Sequence, residues 1–367
     1  MQIVLVEPFF SGSHKQWALD YQKFSQHDIH LLTLKGRHWK WRLFGGAVSL
    51  AKQFEVSNLQ PDLFLLSSMT DLTSFRALLP PTWRNTPMVL YFHENQITYP
   101  WSPNDPDISL QRNNQYGFIN YTSALGADAI FFNSNYHQES FLNGLSTFLR
   151  QFPDHKELDN IERIKKKSNV LYLGLDLKAL QLENVSKTEK AVLLWNHRWE
   201  YDKNPTFFFE TLFDLSAQDL PFQLIVLGEQ YAKVPAIFEK AKEQLAEHII
   251  HFGYTKDRSI YVQLLNQADI LPVSSNQDFF GISIVEAMYC NCIPLLPNRL
   301  AYPEHIPKQY HDLYFYEKEE EFSKKLTNWI LNIQSLRAHQ NISDFVAHYD
   351  WSILAVRYDQ IFEQITC

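Results

Sequence analysis

Residues 272–294 read PVSSNQDFFGISIVEAMYCNCIP, and this stretch organises our interpretation of the whole chain. Its apolar residues and its turn residues predict a strand that ends near Pro272. A polar turn follows over Ser274–Asp278, and a helix is predicted from about Gly281 to Cys290. A strand, a polar loop and a helix in this order are typical of an α/β unit that binds a ligand at its loop.

Two carboxylates flank the start of this predicted helix. Asp278 precedes the helix, and Glu286 lies two turns inside it. The first N–H groups of a helix have no intrahelical partner, so those near Gly281 and Ile282 predict an anion site. Carboxylates for hydroxyl groups beside amides for phosphate suit a nucleotide sugar. The alternative is an ordinary buried helix whose Glu is hydrogen-bonded.

Length and composition predict a two-domain globular enzyme. The chain has 367 residues, of which 45% are hydrophobic and 15% aromatic, and its formal net charge is −8. A nucleic acid would therefore need a local basic patch. The three cysteines, Cys290, Cys292 and Cys367, form neither a disulfide framework nor a zinc motif. No apolar run approaches 18 residues, so we expect a cytoplasmic protein without a membrane partner.

Short apolar runs alternate with helical segments in both halves of the chain, which predicts an α/β fold of two doubly wound, Rossmann-like domains facing a cleft. The predicted domains are residues 1–180 and 191–345, with a polar hinge over Lys178–Lys190. The predicted third region is residues 346–367. A terminal helix is predicted over Phe345–Ile365, and it is expected to cross back to the first domain. The predicted strands are Ile3–Val6, His30–Leu34, Leu63–Ser67, Met88–His93, Ala129–Asn133, Val170–Leu173, Ala191–Asn196, Gln223–Leu227, Ile249–Phe252, Asp269–Val273 and Ile293–Leu296.

Polar residues follow two strands of the first half. Glu7–Lys15 is predicted to be a loop, with Gly12 inside it and a helix from Gln16. His14 in this loop could reach an anion, or it could lie at a solvated helix start. His93, followed directly by Glu94, ends another strand, where chemistry occurs in such folds. A structural ion pair is the alternative there.

The segment Lys35–Arg42, KGRHWKWR, interleaves cations with aromatic rings. Cations beside exposed rings suit phosphate contacts and base stacking, so the segment is a candidate RNA surface. The alternative is a helix whose tryptophans pack inward, in which case Lys165–Lys167 is the next candidate. The predicted contact residues are Lys35, Arg37, Trp39, Lys40 and Arg42.

Arg198 and Lys203 follow the first strand of the second half, ahead of a helix that begins at Pro205. Two cations and a helix N-terminus suit a diphosphate, and they would stabilise negative charge on a phosphate leaving group. The alternative is a pair of salt bridges with Glu200 or Asp202.

Four segments of the second half together resemble the donor half of a GT-B glycosyltransferase of family 4: HRWEYDKNP at 197–205, LGE at 227–229, HFGY at 251–254 and DFFGISIVEAMYCNCIP at 278–294. The resemblance implies that Arg198 and Lys203 hold the donor diphosphate and that Glu286 holds the ribose. Asp278 stands where the family usually has Glu for the sugar. Backbone N–H groups of Gly281 and Ile282, together with Tyr254, complete the implied donor site.

The first half is similar to a narrower family, the tRNA-queuosine α-mannosyltransferases. The similarity lies in EPFFSGSHKQW at 7–17, KGRHWKWR at 35–42, LYFHENQITYP at 90–100, QYGFINYTSALGADAIFFNS at 115–134 and FLRQFPDH at 148–155. It implies transfer of mannose from GDP-mannose to the cyclopentenediol of queuosine in tRNA(Asp), with retention at the anomeric carbon. It also implies that the reaction needs no metal or cofactor.

The same resemblance implies roles for residues of the first half. His93 would contact the transferred sugar, and Glu94 would orient His93 or bind the acceptor hydroxyl. Gly12, Ser13, His14 and Lys15 would belong to a loop that closes over the donor phosphates.

Two other functions stay open from the residues alone. A GT-B glycosyltransferase with a lipid or polysaccharide acceptor would share the donor site. A non-catalytic RNA-binding protein would make the donor residues incidental. A Rossmann dehydrogenase is disfavoured because the first predicted strand is not followed by GxGxxG.

Overall fold

The computed structural model describes residues 1–102, 105–110, 112–182, 185–230, 234–338 and 341–366. Cys367 and residues 183–184 of the predicted hinge lie outside the described residues. The chain forms two units: Met1–Leu175 together with the C-terminal helix from Trp351, and Asp176–Asp350. Among the described residues, no helix is both long and apolar enough to cross a membrane.

The first unit is a six-stranded parallel sheet with helices between its strands. Its strands are β1 (Gln2–Phe10), β2 (Asp28–Lys35), β3 (Leu63–Ser67), β4 (Met88–Phe92), β5 (Ala129–Phe132) and β6 (Ser168–Val170). Its helices are α1 (Gly12–Phe24), α2 (Trp39–Glu55), α3 (Leu72–Leu78), α4 (Pro106–Ser109), α5 (Asn114–Gly126), α6 (Asn135–Arg150) and α7 (Asn160–Lys166). The sheet order is β2-β1-β3-β4-β5-β6.

Burial on both faces explains why these strands are continuous apolar runs. Every residue of β3 and β4 is buried, as expected where helices cover both faces of a parallel sheet. In the sheet, β2 lies on one side of β1 and β3 lies on the other, so the direction in which strands are added reverses at β1. Loops that leave the carboxyl ends of strands beside such a reversal form ligand sites in open α/β sheets.

The predicted loop Glu7–Lys15 is wrong. β1 continues to Phe10, and α1 already begins at Gly12. The register between β1 and β2 shifts between Glu7 and Phe10, and Pro8, which has no N–H to donate, lies at this irregularity. Glu7 is therefore a strand residue inside the sheet, and His14 lies in the first turn of α1.

The second unit repeats the architecture with a different strand order, β12-β11-β10-β7-β8-β9. Its strands are β7 (Ala191–Asn196), β8 (Phe222–Leu227), β9 (Ile249–Phe252), β10 (Ile270–Pro272), β11 (Ile293–Pro297) and β12 (Phe315–Tyr316). Its helices are α8 (Pro205–Ala217), α9 (Ile237–Gln244), α10 (Arg258–Gln267), α11 (Ile282–Tyr289), α12 (His311–Tyr314), α13 (Glu319–Leu331), α14 (Ile333–Arg337) and α15 (Ser343–Val346). The order reverses between β7 and β10, which predicts a ligand site at their carboxyl ends.

The predicted terminal helix Phe345–Ile365 is wrong at its beginning. Asp350 has an extended backbone, and the last helix, α16, runs over Trp351–Thr366. The Asp350 carboxylate accepts hydrogen bonds from the backbone N–H groups of Leu177 and Lys178, which holds the chain extended at this point. As expected, the terminal helix belongs to the first unit, where the Tyr21 hydroxyl donates to Asp359 at 2.9 Å.

Candidate active site

Lys203 and Asp278 meet at the carboxyl ends of β7 and β10, which are neighbours in the second sheet. Lys203 Nζ lies 2.9 Å from Asp278 Oδ1 and 3.2 Å from Asp202 Oδ2. Lys203 and Asp202 are buried. Two residues that sequence reasoning placed in one site, 75 positions apart, are therefore in direct contact.

Asp278 is held on both oxygens, because the Tyr302 hydroxyl donates to its Oδ2 at 2.5 Å. Burial alone would raise the pKa of this carboxyl. The charge of Lys203, together with the hydrogen bonds from Tyr302 and Lys203, outweighs burial and lowers the pKa below its ordinary value. Asp278 is thus a carboxylate at neutral pH, fixed in orientation and able to accept hydrogen bonds from hydroxyl groups.

Arg198 is an accessible cation of this region, with 43% of its side chain exposed and its guanidinium 3.3 Å from Glu200. Both salt bridges of the alternative interpretation, Arg198 with Glu200 and Lys203 with Asp202, are therefore present. The Arg198–Glu200 pair does not exclude a diphosphate contact of Arg198, because an exposed ion pair is worth little. The Lys203 ammonium is instead buried against Asp202 and Asp278, so its predicted contact with a diphosphate stays a prediction. Tyr254 follows β9 and is 57% exposed.

Gly281 immediately precedes α11 and has the left-handed conformation, with φ of 87°. A β-carbon at this position would lie 3.2 Å from the Tyr302 ring, so the turn favours glycine both in conformation and in space. The N–H groups at Ile282 and the next residues lie in the first turn, where a helix has donors to spare.

Glu286 uses both of its oxygens within the second unit. Arg258 donates to Oε1 at 2.8 Å, and the Tyr261 hydroxyl donates to Oε2 at 2.5 Å. Because a carboxylate can accept about four hydrogen bonds, Glu286 can accept from a ribose hydroxyl beside these partners or in place of Arg258, whose side chain is 60% exposed. Sequence reasoning missed Arg258, Tyr261 and Tyr302, since nothing in the local pattern of α10 or of the segment after β11 points to this loop.

His197 is a further residue that sequence reasoning missed. It is buried directly after β7, and its Nε2 has no hydrogen-bond partner among the described residues. Burial lowers its pKa to about 4; the Asp278 carboxylate opposes this shift, and the Lys203 charge adds to it. His197 is therefore neutral at pH 7. Its position in the sequence, between strand β7 and Arg198, is the signal that could have identified it.

In the first unit, Glu7, His14 and His93 form a buried cluster. Glu7 Oε2 lies 2.9 Å from His14 Nδ1, and the two imidazole rings lie 4.4 Å apart between centroids. Burial, and secondarily His14 and His137, hold the pKa of His93 well below its usual value. Sequence reasoning named both histidines but missed Glu7, because it assigned that residue to a loop.

The other predicted residues of the first unit lie around this cluster. Gly12 has a φ of 51°, and a β-carbon at this position would meet no atom within 4 Å; Ser13 is exposed. The Glu94 carboxylate accepts a hydrogen bond from Gln96 Nε2 at 2.9 Å. The start of α1 is thus open, whereas Glu94 is engaged next to His93.

The basic segment 35–42 is divided between the interior and the surface. Lys40 Nζ lies 2.6 Å from Asp105 and also contacts Asp107, and Trp39 packs against Trp101 and Tyr116. The packing of Trp39 matches the alternative interpretation, which concerned the tryptophans. Lys40 is engaged by two aspartates, so the structure favours neither Trp39 nor Lys40 as an RNA contact.

The rest of the segment faces outward. Lys35 and Arg37 are exposed, and Trp41 is 64% exposed. Arg42 is partly buried, and its Nε donates to the Lys35 carbonyl at 3.0 Å. The exposed tryptophan of the segment is thus Trp41, which sequence reasoning did not select.

Glu7, His14 and His93 are also the one set of metal-ligand types found close together among the described residues, with candidate ligand atoms within 4.8 Å of one another. Carboxylate and imidazole groups can bind zinc. The prediction that the reaction needs no metal stays a prediction.

Comparison with known proteins agrees with the two-unit arrangement. Residues 2–175 match the family described as tRNA-queuosine alpha-mannosyltransferase N-terminal, and residues 178–343 match glycosyl transferases group 1. A Drosophila melanogaster protein named tRNA-queuosine alpha-mannosyltransferase is 33% identical over 339 residues, which cover 89% of this chain and 86% of that protein. This chain belongs to the tRNA-queuosine alpha-mannosyltransferase family.

Solved structures show the same fold in this family member. A sucrose-phosphate synthase from Thermosynechococcus elongatus superimposes with a TM-score of 0.71 at 14% identity, over 100% of this chain and 99% of that chain. A glycosyltransferase from Rickettsia africae gives a TM-score of 0.67 at 16% identity, over 99% and 98% of the two chains. The protein is a glycosyltransferase with a GT-B fold, as its sequence predicts.

Proposed function

We propose that this member of the tRNA-queuosine alpha-mannosyltransferase family transfers mannose from GDP-mannose to the cyclopentenediol of queuosine in tRNA(Asp). Retention at the anomeric carbon and independence of metal are part of the proposal. The family supplies the sugar and the modified nucleoside. The observation in this structure that carries the proposal is the buried contact of Lys203 with Asp278 beside the start of α11.

The donor site is assigned to the second unit. Arg198 and the N–H groups at Ile282 supply positive charge for the diphosphate. Both stabilise it more strongly as negative charge develops on the leaving phosphate. Asp278, kept ionised mainly by Lys203, accepts hydrogen bonds from sugar hydroxyls. Glu286 accepts those of the ribose, beside Arg258 or in its place.

The acceptor is assigned to the exposed part of the basic segment, namely Lys35, Arg37 and Trp41. Cations there would contact tRNA phosphates, and the exposed indole would stack on a base. This segment packs on the start of α1, because a β-carbon at Gly36 would lie 2.3 Å from Ser11. An RNA bound to it would thus lie next to the junction of β1 and α1, which precedes His14.

Incubation of the protein with queuosine-containing tRNA and separate nucleotide sugars tests this proposal, with mass analysis of the released nucleosides. GDP-mannose should add one hexose to queuosine, and tRNA lacking queuosine is the matched control. A hexose gained only from another nucleotide sugar would refute the donor. A gain on queuosine-free tRNA would refute the acceptor.

A further inference from the structure

Glu7 is a buried carboxylate to which the proposed reaction gives no role. Its side chain is fully buried, Oε1 accepts a hydrogen bond from the Phe9 N–H at 2.7 Å, and Oε2 lies 2.9 Å from His14 Nδ1. Burying a carboxylate is unfavourable unless it is hydrogen-bonded. The preceding residues of β1, Ile3–Val6, are apolar and buried, so the strand does not need an acid here for packing.

His14 connects Glu7 to His93. The two imidazole rings lie 4.4 Å apart and tilted by 44°, and Trp17 and Tyr91 pack on His93 at 4.5 Å and 4.8 Å. His93 is thus enclosed by three rings, and one of them, His14, is itself held by the carboxylate of Glu7.

The Nε2 of His93 has no hydrogen-bond partner among the described residues, although it is buried. A buried polar atom left without a partner is unfavourable, and such atoms persist where a ligand or a reaction uses them. His93 is neutral at pH 7, because burial, and secondarily His14 and His137, lower its pKa. A neutral imidazole can either donate to a ligand hydroxyl or accept from it.

We propose that Glu7 is a positioning residue. Its carboxylate keeps the proton of His14 on Nδ1 and fixes the plane of that ring, and the ring in turn orients His93 toward a hydroxyl group of the ligand. The identity of this ligand, the transferred sugar or the acceptor diol, rests on the proposed function.

A metal held by the same three residues is the competing explanation. Tetrahedral zinc with bonds of about 2.0 Å separates its ligand atoms by about 3.3 Å, whereas Glu7 Oε2 and His14 Nδ1 lie 2.9 Å apart, a hydrogen-bond distance. The hydrogen bond between Glu7 and His14 also requires a proton between Oε2 and Nδ1, the two atoms that would both have to bind the metal. The geometry therefore favours the hydrogen-bonded arrangement.

Glu7→Gln tests the proposal with little change in volume. The amide has one acceptor oxygen, while Phe9 and His14 both present N–H groups to position 7. The Phe9 backbone cannot change its donor, whereas the His14 ring can. The Gln oxygen should therefore face Phe9 and its NH₂ group should donate to His14 Nδ1, which moves the ring proton to Nε2.

The readout is the nitrogen NMR spectrum of the full-length protein labelled at histidine, together with steady-state kinetics. We expect Nδ1 of His14 to be protonated in the natural protein and unprotonated in Glu7→Gln, and kcat to fall roughly 10–100-fold, as when a carboxylate that orients a functional histidine is lost. An unchanged proton position, or an unchanged kcat, overturns the proposal. If Glu7→Gln does not fold, Glu7→Leu carries the same two measurements.

Asp359→Asn is the matched control, because Asp359 is a buried carboxylate of the same unit that accepts hydrogen bonds from Tyr21, Ser25 and Gln26. It should lower the melting temperature without changing kcat. Cobalt titration of the natural protein, read by visible absorption, adds a second test: a bound-cobalt band that Glu7→Gln removes would show a metal site and overturn the proposal. The NMR result does not depend on turnover, so a failure of the proposal for Glu7 can be distinguished from a failure of the proposed function.

Discussion

Replacing Lys203 by Ala is expected to make the second unit unfold more easily, in addition to weakening the proposed donor site. The Lys203 ammonium group is buried between Asp278 at 2.9 Å and Asp202 at 3.2 Å, and the side chains of both Lys203 and Asp202 are at most 6% exposed. Its removal leaves two carboxylates with no cation between them. Breaking a buried ion pair by deleting one partner costs roughly 3–5 kcal/mol of unfolding free energy.

This loss should appear as a large shift in melting temperature. For a unit of this size, about 1 kcal/mol shifts the transition by roughly 2–4 °C, so the expected decrease is roughly 6–20 °C. The loss should also depend on pH. In the natural protein the pKa of Asp278 is lowered, so the stabilisation from the pair is complete above the ordinary Asp pKa, near 3.8, and disappears as pH falls through the lowered value.

Without Lys203, burial dominates and raises the pKa of Asp278, so this carboxyl takes up a proton more easily. The difference in stability between variant and natural protein should therefore be largest at neutral pH and should shrink as pH falls toward 4. Thermal unfolding followed by circular dichroism at several pH values measures both effects. Lys203→Ala together with Asp278→Asn should recover part of the loss. A single variant that melts within about 2 °C of the natural protein at pH 7.5 would refute the reasoning.

Four further variants test the proposed site. Arg198→Ala should lower kcat roughly 10²–10³-fold with an unchanged melting temperature, because its side chain is 43% exposed; normal turnover would exclude this residue. Glu286→Gln should weaken GDP binding in calorimetry, since an amide cannot accept hydrogen bonds at both atoms; equal affinity would contradict the ribose contact. Asp278→Glu should retain turnover, and an inactive protein would show that the loop requires the shorter acid. Replacing Lys35 and Arg37 by Ser should flatten the salt dependence of tRNA binding by roughly one unit for each phosphate that the variant no longer binds, while GDP binding is unchanged; an unaltered slope would place the RNA elsewhere.

The amino-acid sequence alone determined the strands and the helix around which the proposed donor site is built. β3 and β7 have the predicted bounds, and α11 begins and ends within one residue of the predicted helix. Runs of buried apolar residues and turn residues are local signals, so they are readable before the fold is known. Arg198 and Asp278 were also readable, because each follows such a strand closely.

Only the tertiary structure decided which side chains meet. Glu7 joins His14 because β1 continues past a proline, and Lys40 turns inward because two aspartates lie 65 and 67 positions further along the chain. Tyr302 reaches Asp278 from the segment after β11. Each of these contacts depends on strand register or on packing between distant segments, and neither periodicity nor composition carries that information.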